Sequence, residues 1–237
     1  MRACLDDYVC LVTGASRGIG RGIAIGLGER GATVYITGRT LKSAEVGEAA
    51  RSLEATAAEI NSRGGKAIPV LVDHSDEGQV AALFQRIQRE QRGRLDVLVN
   101  NVYSAVPFLF KSLKKPFYEC EDLSPGEAWD LVNNVGLRNH YVCATLATKM
   151  MLNYQAGLIV NVSSIGGKIY AFSTLYGVGE CIHNISSNAT SQRLLYLRSC
   201  THESTDEAIY QSDCGIVSLT LVSSNPGILR MNHQLPR

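Results

Sequence analysis

The chain has 237 residues, of which 45% are hydrophobic and 19% are charged, and its formal net charge is +1. These totals suit one globular domain, and the near-zero charge argues against broad attraction to nucleic acid or to anionic membranes. No run of about 18 apolar residues occurs, so the sequence predicts no membrane-spanning segment. We therefore expect neither a nucleic-acid partner nor a membrane span.

The seven cysteines are scattered and include no C-x-x-C pair, which argues against a zinc site and against a disulfide framework. We therefore predict no metal site and a reducing compartment. The first residues, MRACLDD, carry acids where a secretory signal peptide needs an apolar stretch. Both observations favour a cytoplasmic location.

Strand-like and helix-like segments alternate from the first apolar run onward. Predicted strands cover residues 8–12, 33–37, 67–72, 95–99 and 157–162. One predicted helix starts at residue 19, and three others cover residues 43–62, 77–91 and 125–154. Units of this size imply right-handed βαβ crossovers. The sequence therefore predicts the α/β class, with a Rossmann-type doubly wound parallel sheet in a three-layer αβα arrangement. Ligands of such sheets bind beyond the carboxyl ends of the strands.

A glycine-rich loop, Gly14-x-x-x-Gly18-x-Gly20, joins the first predicted strand to the first predicted helix. Glycines at these places permit a tight turn, a close approach of a ligand to the backbone, and tight packing of helix on strand. The free N–H groups at the start of the helix favour a pyrophosphate. We predict a dinucleotide site, and a glycine-rich turn without a ligand is the alternative. The predicted cofactor contacts in the loop are Gly14, Ser16, Arg17, Gly18, Ile19 and Gly20.

Two arginines bear on which dinucleotide is bound. Arg17 lies inside the loop, and Arg39 follows the second strand, where NAD-selective sites usually carry an acidic residue for the ribose 2′-hydroxyl. A guanidinium pairs instead with phosphate oxygens in bidentate fashion. The sequence therefore favours NADP(H) over NAD(H), and solvated surface arginines are the alternative.

Polar residues follow the third and fourth strands as well. Asp73 is predicted to accept a hydrogen bond from the adenine amino group, although it also suits a turn or a helix cap. Asn100 and Asn101 are predicted to brace the glycine loop, with Asn100 as a cofactor contact, although asparagine pairs also form turns. Residues 102–124 form either one wall of a substrate pocket or a solvated loop with an aromatic cluster.

An ordered set of motifs resembles the short-chain dehydrogenase/reductase (SDR) family: TGASRGIG at 13–20, NN at 100–101, NVSS at 161–164, YGVG at 176–179, and a weaker echo at Pro226 and Gly227. The resemblance implies an enzyme that reduces a small-molecule carbonyl compound, of ketone, steroid or quinone type, or oxidises an alcohol. It also implies Pro226 and Gly227 as further cofactor contacts. It leaves a homo-oligomer and association with the endoplasmic reticulum open.

The same resemblance implies the reacting groups. Tyr176 gives a proton to the carbonyl oxygen or takes one from the alcohol, and a serine hydroxyl hydrogen-bonds the same oxygen. Ser164 is the predicted serine if the following loop is one residue shorter than in the family, whereas Ser163 keeps the family spacing of thirteen. Both serines remain open, and residues of this type after a strand also suit a turn or a cap.

Two positions depart from the family. A lysine four residues after the tyrosine lowers the pKa of that tyrosine in the family, but Glu180 stands there, and nothing in the sequence directs Lys168 to the cofactor ribose. A carboxylate is expected to raise the pKa of Tyr176 and to repel the phosphates of the cofactor. Many members of the family also have an asparagine in the helix before the fifth strand. Aligning GLRN, residues 136–139, with the corresponding family block places Gly136 at that position, and Asn134 lies two residues away, so we assign no residue to this role.

The resemblance ends at residue 179. Residues 180–213 are rich in Asn, Ser, Thr and His and lack a sustained helical stripe, so we predict a divergent segment, such as one from a splice variant or a mis-spliced gene. Residues 214–237 are expected to hold a short remnant of the sixth strand and a tail, with the last strand of the family missing. We therefore predict one Rossmann domain over residues 1–237, in which the divergent segment weakens any homo-oligomer.

Three hypotheses about the protein are consistent with these observations. The first is an NADP(H)-dependent carbonyl reductase. The second is a catalytically deficient homolog that binds the dinucleotide or a partner without efficient turnover, because Glu180 replaces the lysine. The third is a fragment that does not fold stably, because a missing strand exposes the edge of a sheet.

Overall fold

The computed structural model describes residues 5–42, 51–113, 115–119, 123–167, 169–170 and 172–181, together with the backbone of one further strand at 217–223. A sheet of six strands forms the centre of the described part. The strands are β1 (Val9–Val12), β2 (Thr33–Gly38), β3 (Lys66–Leu71), β4 (Val97–Asn100), β5 (Ala156–Val162) and β6 (Val217–Ser223).

The strand order is β3-β2-β1-β4-β5-β6, and β1 to β5 pair in parallel. This is the doubly wound order of Rossmann folds, in which the direction of winding reverses between β1 and β4. The predicted fold class is therefore confirmed. β6 pairs with β5 in the antiparallel direction, so the strand that forms within 214–237 runs against the other five.

Helices connect the strands. They are α1 (Gly18–Gly28), α2 (Leu53–Ser62), α3 (Glu77–Glu90), α4 (Val106–Lys111), α5 (Pro125–Asn133), α6 (Asn139–Asn153) and α7 (174–181). The helix predicted over 125–154 is interrupted by a π-helical turn, Asn134–Arg138, between α5 and α6. The connection 102–124 contains α4, a short helix that the sequence pattern did not predict. Residues 43–50 of the second predicted helix lie outside the described residues.

The strands are apolar on both faces because helices cover both faces of a parallel sheet. On one face, Leu11 and Leu98 pack in a core with side chains of α3 and α6. On the other face, Val12 and Val99 pack in a second core with side chains of α1 and α2. Among the described residues, no helix is long and apolar enough to cross a lipid bilayer.

Hydrogen bonds from the segment after β4 hold the turn after β1. The side-chain amide of Asn101 donates to the carbonyl oxygens of Thr13 and Gly14, at 2.9 and 3.0 Å. The Thr13 hydroxyl accepts from the backbone N–H groups of Asn101 and Val102, at 2.9 and 3.2 Å. The same hydroxyl donates to the Val99 carbonyl oxygen at 3.1 Å. This network joins the carboxyl ends of β1 and β4, at the point where the winding reverses.

The structure gives the bracing role to Asn101, which corrects our expectation for Asn100. Asn100 is the buried last residue of β4. Its amide donates to Asn161 Oδ1 at 2.9 Å and to the His140 carbonyl oxygen at 3.2 Å. Successive side chains of a strand point to opposite faces, so Asn100 bonds within the sheet while Asn101 reaches the loop.

Gly20 packs against this network in the first turn of α1. A Cβ at Gly20 would lie 2.3 Å from the amide nitrogen of Asn101 and 2.5 Å from the Gly14 carbonyl oxygen. A Cβ at Gly22, two residues later in the same helix, would meet nothing within 4 Å. The two glycines therefore form a matched pair with opposite surroundings.

We expect Gly20→Ala to lower the free energy of unfolding by about 1–3 kcal/mol, because the added methyl group pushes Asn101 off the loop. Gly22→Ala is the matched control and is expected to raise the free energy of unfolding by about 0.5–1 kcal/mol, as alanine does in helix interiors. Urea unfolding followed by circular dichroism measures both. Equal effects of the two substitutions would contradict this description of the loop.

Candidate active site

The glycine loop leaves open space at the carboxyl edge of the sheet. Gly14 and Gly18 have φ angles of +69° and +59°, which residues with a side chain rarely adopt. A Cβ at Gly18 would meet no atom within 4 Å. The first N–H groups of α1 have no partner within the helix, and Arg17 at its start makes no side-chain cap. The loop therefore has the shape and polarity that a phosphate group requires.

A cleft of about 860 Å³ lies over this loop. Its wall contains the described residues that the sequence assigned to the cofactor, apart from Asn100: Gly14, Ser16, Arg17, Gly18, Ile19, Gly20, Arg39 and Asp73. A third arginine, Arg51, also lines the cleft. Arg51 was not predicted from the sequence, because it precedes α2 instead of following a strand.

Asp73 and His74 form the edge of the cleft after β3. The backbone N–H and the hydroxyl of Ser75 donate to Asp73 Oδ1, at 2.9 and 2.7 Å, and together they lower the pKa of Asp73. His74 is buried, and its ring nitrogens lie 2.7 Å from Thr37 Oγ1 and 3.1 Å from Asn139 Oδ1. Burial lowers the pKa of His74, so its imidazole is neutral at pH 7. Sequence analysis did not single out His74, although it lies close to the end of a strand.

Tyr176 and Ser164, the two residues predicted to carry the reaction, meet beyond the end of β5. Tyr176 lies on α7, and its hydroxyl donates to Ser164 Oγ at 2.5 Å. Ser164 Oγ also accepts from the Gly166 N–H at 3.0 Å. The hydroxyl of the buried Ser163 donates instead to Glu180, at 2.7 Å. The geometry therefore pairs Tyr176 with Ser164 and turns Ser163 away.

Glu180 holds the segment that carries both serines. Its side chain is buried, with 8% exposed, and Oε2 accepts from the Ser163 hydroxyl at 2.7 Å and from the Ser164 N–H at 2.9 Å. Glu180 lines a cavity of about 10 Å³ beside Tyr176, and it is not part of the wall of the cofactor cleft. The repulsion that we expected between Glu180 and the cofactor phosphates stays a prediction.

The pKa of Tyr176 is raised above its ordinary value of 10.0. Burial is the largest cause, and the charge and hydrogen bonding of Glu180 act in the same direction. The hydrogen bond with Ser164 acts in the opposite direction. The direction of the effect of Glu180 agrees with the expectation from the sequence, although burial contributes more. Tyr176 is therefore protonated at neutral pH.

Asn133 is a further polar residue near Tyr176, and the sequence analysis did not assign it. It is buried at the end of α5, directly before the π-helical turn. Its amide nitrogen lies 3.5 Å from the Leu175 carbonyl oxygen, and its Oδ1 would lie 2.5 Å from a Cβ at Gly179. The N-x-x-G spacing counted from Asn133 to Gly136 is the signal that would have found it.

Tyr103 connects the cleft to Tyr176, and the sequence analysis missed it as well. Tyr103 lines both the cleft and the small cavity beside Tyr176. Its ring packs edge-on against the ring of Tyr176, with centroids 5.9 Å apart. A Cβ at Gly136 would lie 2.5 Å from the Tyr103 ring, so glycine at 136 makes room for this ring. Asn134, unlike Asn133, lines the cleft and not the small cavity beside Tyr176.

Some predicted residues lie outside the described part of the chain. Pro226, Gly227 and Lys168 are among them, so their roles stay predictions. Within the described ranges, no group of three metal-ligating side chains occurs. Cys10, Cys143 and Cys181, which lie in those ranges, are free thiols.

Comparisons with known proteins agree with the order of these motifs. Residues 8–178 match the family model for short chain dehydrogenases. The chain is similar to dehydrogenase/reductase SDR family member 1 of Mus musculus, with 46% identity over 200 residues, and to the protein of the same name from Homo sapiens, with 44% identity. Each alignment covers 81% of this chain and 60% of the relative, so the chain spans 60% of the length of these relatives.

Solved structures extend the comparison to the fold. A metagenomic short-chain oxidoreductase, crystallised in complex with NADP, matches with a TM-score of 0.65 and 30% identity. That match covers 81% of this chain and 78% of the other. The family model spans the glycine loop, the serine pair and the tyrosine in a single match. The chain belongs to the short-chain dehydrogenase/reductase family.

Proposed function

We propose that this protein is an NADP(H)-dependent oxidoreductase that reduces a small-molecule carbonyl compound, of ketone, steroid or quinone type. Tyr176 is the proton donor in this proposal. The observation that carries it is the 2.5 Å hydrogen bond between the Tyr176 hydroxyl and Ser164 Oγ, beside a cleft built on the glycine loop. Two hydroxyl groups that meet at one point can hold a single carbonyl oxygen between them.

The described residues fit a dinucleotide. The open face of Gly18 and the start of α1 suit the pyrophosphate. Arg17, Arg39 and Arg51 line the same cleft and supply the positive charge that a 2′-phosphate requires. These groups support NADP(H) over NAD(H). When bound, the reduced cofactor supplies the hydride, and the remaining tasks belong to the side chains.

Tyr176 supplies the proton. Its raised pKa keeps the phenol protonated at neutral pH, and reduction consumes this form as negative charge develops on the carbonyl oxygen. Ser164 hydrogen-bonds the same oxygen from a position fixed by the Gly166 N–H and by Glu180. A phenol with a raised pKa is a weaker acid, so we expect turnover to be slow.

A catalytically deficient homolog that keeps the dinucleotide site is the second candidate. The carboxylate of Glu180 beside Tyr176 favours it, because negative charge opposes the phenolate. Each unit by which the pKa rises corresponds to about 1.4 kcal/mol against that form. The two candidates share the cofactor and differ in turnover, so a measured rate separates them.

The partners, the oligomeric state, the location and the domain organisation of the protein also belong to the proposal. The partners are the substrate and the cofactor, and a homo-oligomer, a cytoplasmic location and the single domain over residues 1–237 remain predictions. The divergent segment at 180–213 lies outside the described residues after position 181.

We expect Arg39→Ala to weaken the binding of NADPH by about 10-fold and that of NADH by less than about 2-fold, because the lost bond to a phosphate is charge-assisted and worth about 1.5–3 kcal/mol. Isothermal titration calorimetry with each cofactor measures the two affinities. The reduced nicotinamide and the adenine are common to both, so the difference reports the 2′-phosphate.

Arg63→Ala is the matched control for Arg39→Ala. It removes the same charge at the end of α2, where Arg63 pairs with Glu59 and Glu29, and it should leave both affinities unchanged. If the unaltered protein bound NADH more tightly than NADPH, the cofactor assignment would be wrong.

We expect Glu180→Lys to increase the NADPH-dependent turnover of phenanthrenequinone by about 10-fold or more, because a nearby cation lowers the pKa of Tyr176 and makes it a stronger acid. The decrease in NADPH absorbance measures the rate. Thermal unfolding with and without NADPH shows whether each variant keeps its fold and its cofactor site.

Glu180→Gln separates charge from geometry. It removes the charge but keeps a side-chain oxygen that can accept from the Ser164 N–H, and its turnover is expected to lie between the other two. Equal turnover of the unaltered protein, Glu180→Gln and Glu180→Lys would show that Glu180 is not disabling. Absence of turnover in the unaltered protein, together with NADPH binding and a gain in Glu180→Lys, would favour the deficient homolog.

A further inference from the structure

Four aromatic rings form a continuous row from the cofactor cleft to the surface, in the order Tyr103, Tyr176, Phe172 and Phe110. The centroids of successive rings lie 5.9, 5.5 and 6.3 Å apart, with interplanar angles of 63°, 85° and 74°. All three contacts are edge-to-face, the arrangement that aromatic pairs prefer. We call this set the aromatic row. Its second ring is that of Tyr176, the proposed proton donor.

Phe172 joins Tyr176 to the outer end of the row, and its backbone is strained. Its φ angle is +63°, in the left-handed region that bulky residues rarely adopt. Phe172 is 43% exposed, and Phe110 beyond it is 62% exposed, so the strain does not serve to bury either residue in a core. Strain of this kind persists where the surrounding structure enforces it, and it clusters at ligand sites.

Tyr103, at the inner end of the row, carries an unused polar group. Its hydroxyl is buried, and among the described residues it has no hydrogen-bond partner. Gly136 lies directly against its ring, where a Cβ would be 2.5 Å from the ring atoms. A buried hydroxyl without a partner is costly, so a group that enters from the cleft and hydrogen-bonds it gains affinity.

We propose that the aromatic row is the substrate-binding wall, that it selects carbonyl compounds carried on a flat, apolar ring system, and that Phe172 determines this specificity. The inference rests on the proposed reductase function. Edge-to-face rings present exposed faces and edges on which a flat ring system packs, and each such contact adds to the affinity beyond the burial of area. A small aliphatic carbonyl compound reaches Tyr176 without spanning Phe172 and Phe110, so it gains nothing from the outer rings.

Two dicarbonyl probes test this inference: phenanthrenequinone, which is flat and tricyclic, and butanedione, which is small and aliphatic. In NADPH-dependent reduction, Phe172→Ala is expected to raise the KM for phenanthrenequinone by about 10-fold, and the loss for butanedione is expected to be smaller by a factor of about 5 or more. Phe172→Tyr keeps a ring and is expected to retain the KM of the unaltered protein. Phe172→Gly removes the ring and the strain together, and a loss equal to that of Phe172→Ala assigns the effect to the ring.

Phe117→Ala is the matched control, since Phe117 is 65% exposed and packs on Tyr118, with centroids 5.6 Å apart, outside the aromatic row. It should change neither probe. An unchanged KM for phenanthrenequinone in Phe172→Ala, or equal losses for both probes, would overturn the inference.

A binding measurement separates this inference from the proposed function. If the unaltered protein reduces neither probe, the proposed function fails, and the thermal shift caused by phenanthrenequinone in the presence of NADPH decides the inference. A shift in the unaltered protein and in Phe172→Tyr that is lost in Phe172→Ala supports the aromatic row as a binding wall. An absent shift, or the same shift in all three proteins, overturns it.

Discussion

The hydrogen bonds that join the ends of β1 and β4 are the constraint on which the site depends. In a doubly wound sheet the connections after these two strands leave in opposite directions, and the crevice between them is where a ligand binds. Thr13 and Asn101 join the ends of these two strands with side-chain hydrogen bonds to the backbone of the opposite segment. The positive φ of Gly14 and the free start of α1 are therefore set before a ligand arrives. A preorganised site of this kind loses less free energy to ordering when it binds.

Glu180 has two effects at the reacting end of the site, and they oppose each other. A single carboxylate oxygen holds Ser163 and the backbone of Ser164, so the Ser164 hydroxyl faces Tyr176. The negative charge of the same group helps to raise the pKa of Tyr176. The arrangement thus keeps the hydrogen bond between Tyr176 and Ser164 while it makes the phenol a weaker acid. Because Glu180 has both effects, the site is consistent with a slow reductase and also with a deficient homolog.

The sequence predicted those features that depend on local pattern. Alternating strands and helices indicated the fold class, and the ends of the strands indicated the cleft beside the glycine loop, whereas Tyr176 followed from the family resemblance. Features that depend on side-chain direction or on distant contacts were not predictable in this way. Asn100 and Asn101 are neighbours of the same type, and only the pleat of β4 decides which one reaches the loop. Arg51 follows no strand, and the strained φ of Phe172 has no signature in a residue type that seldom adopts it.

The pH dependence of carbonyl reduction at saturating NADPH tests the central claim, that Glu180 adds to the effect of burial in raising the pKa of Tyr176 while it preserves the geometry of the site. In the proposed reaction the protonated phenol is the active form, so a raised pKa extends activity to higher pH. The rate of the unaltered protein is predicted to stay level past the ordinary tyrosine pKa of about 10. Glu180→Gln, with circular dichroism confirming its fold at each pH, is predicted to lose activity at a lower pH than the unaltered protein. Coincident profiles, or a profile of the unaltered protein that falls first, would contradict the account.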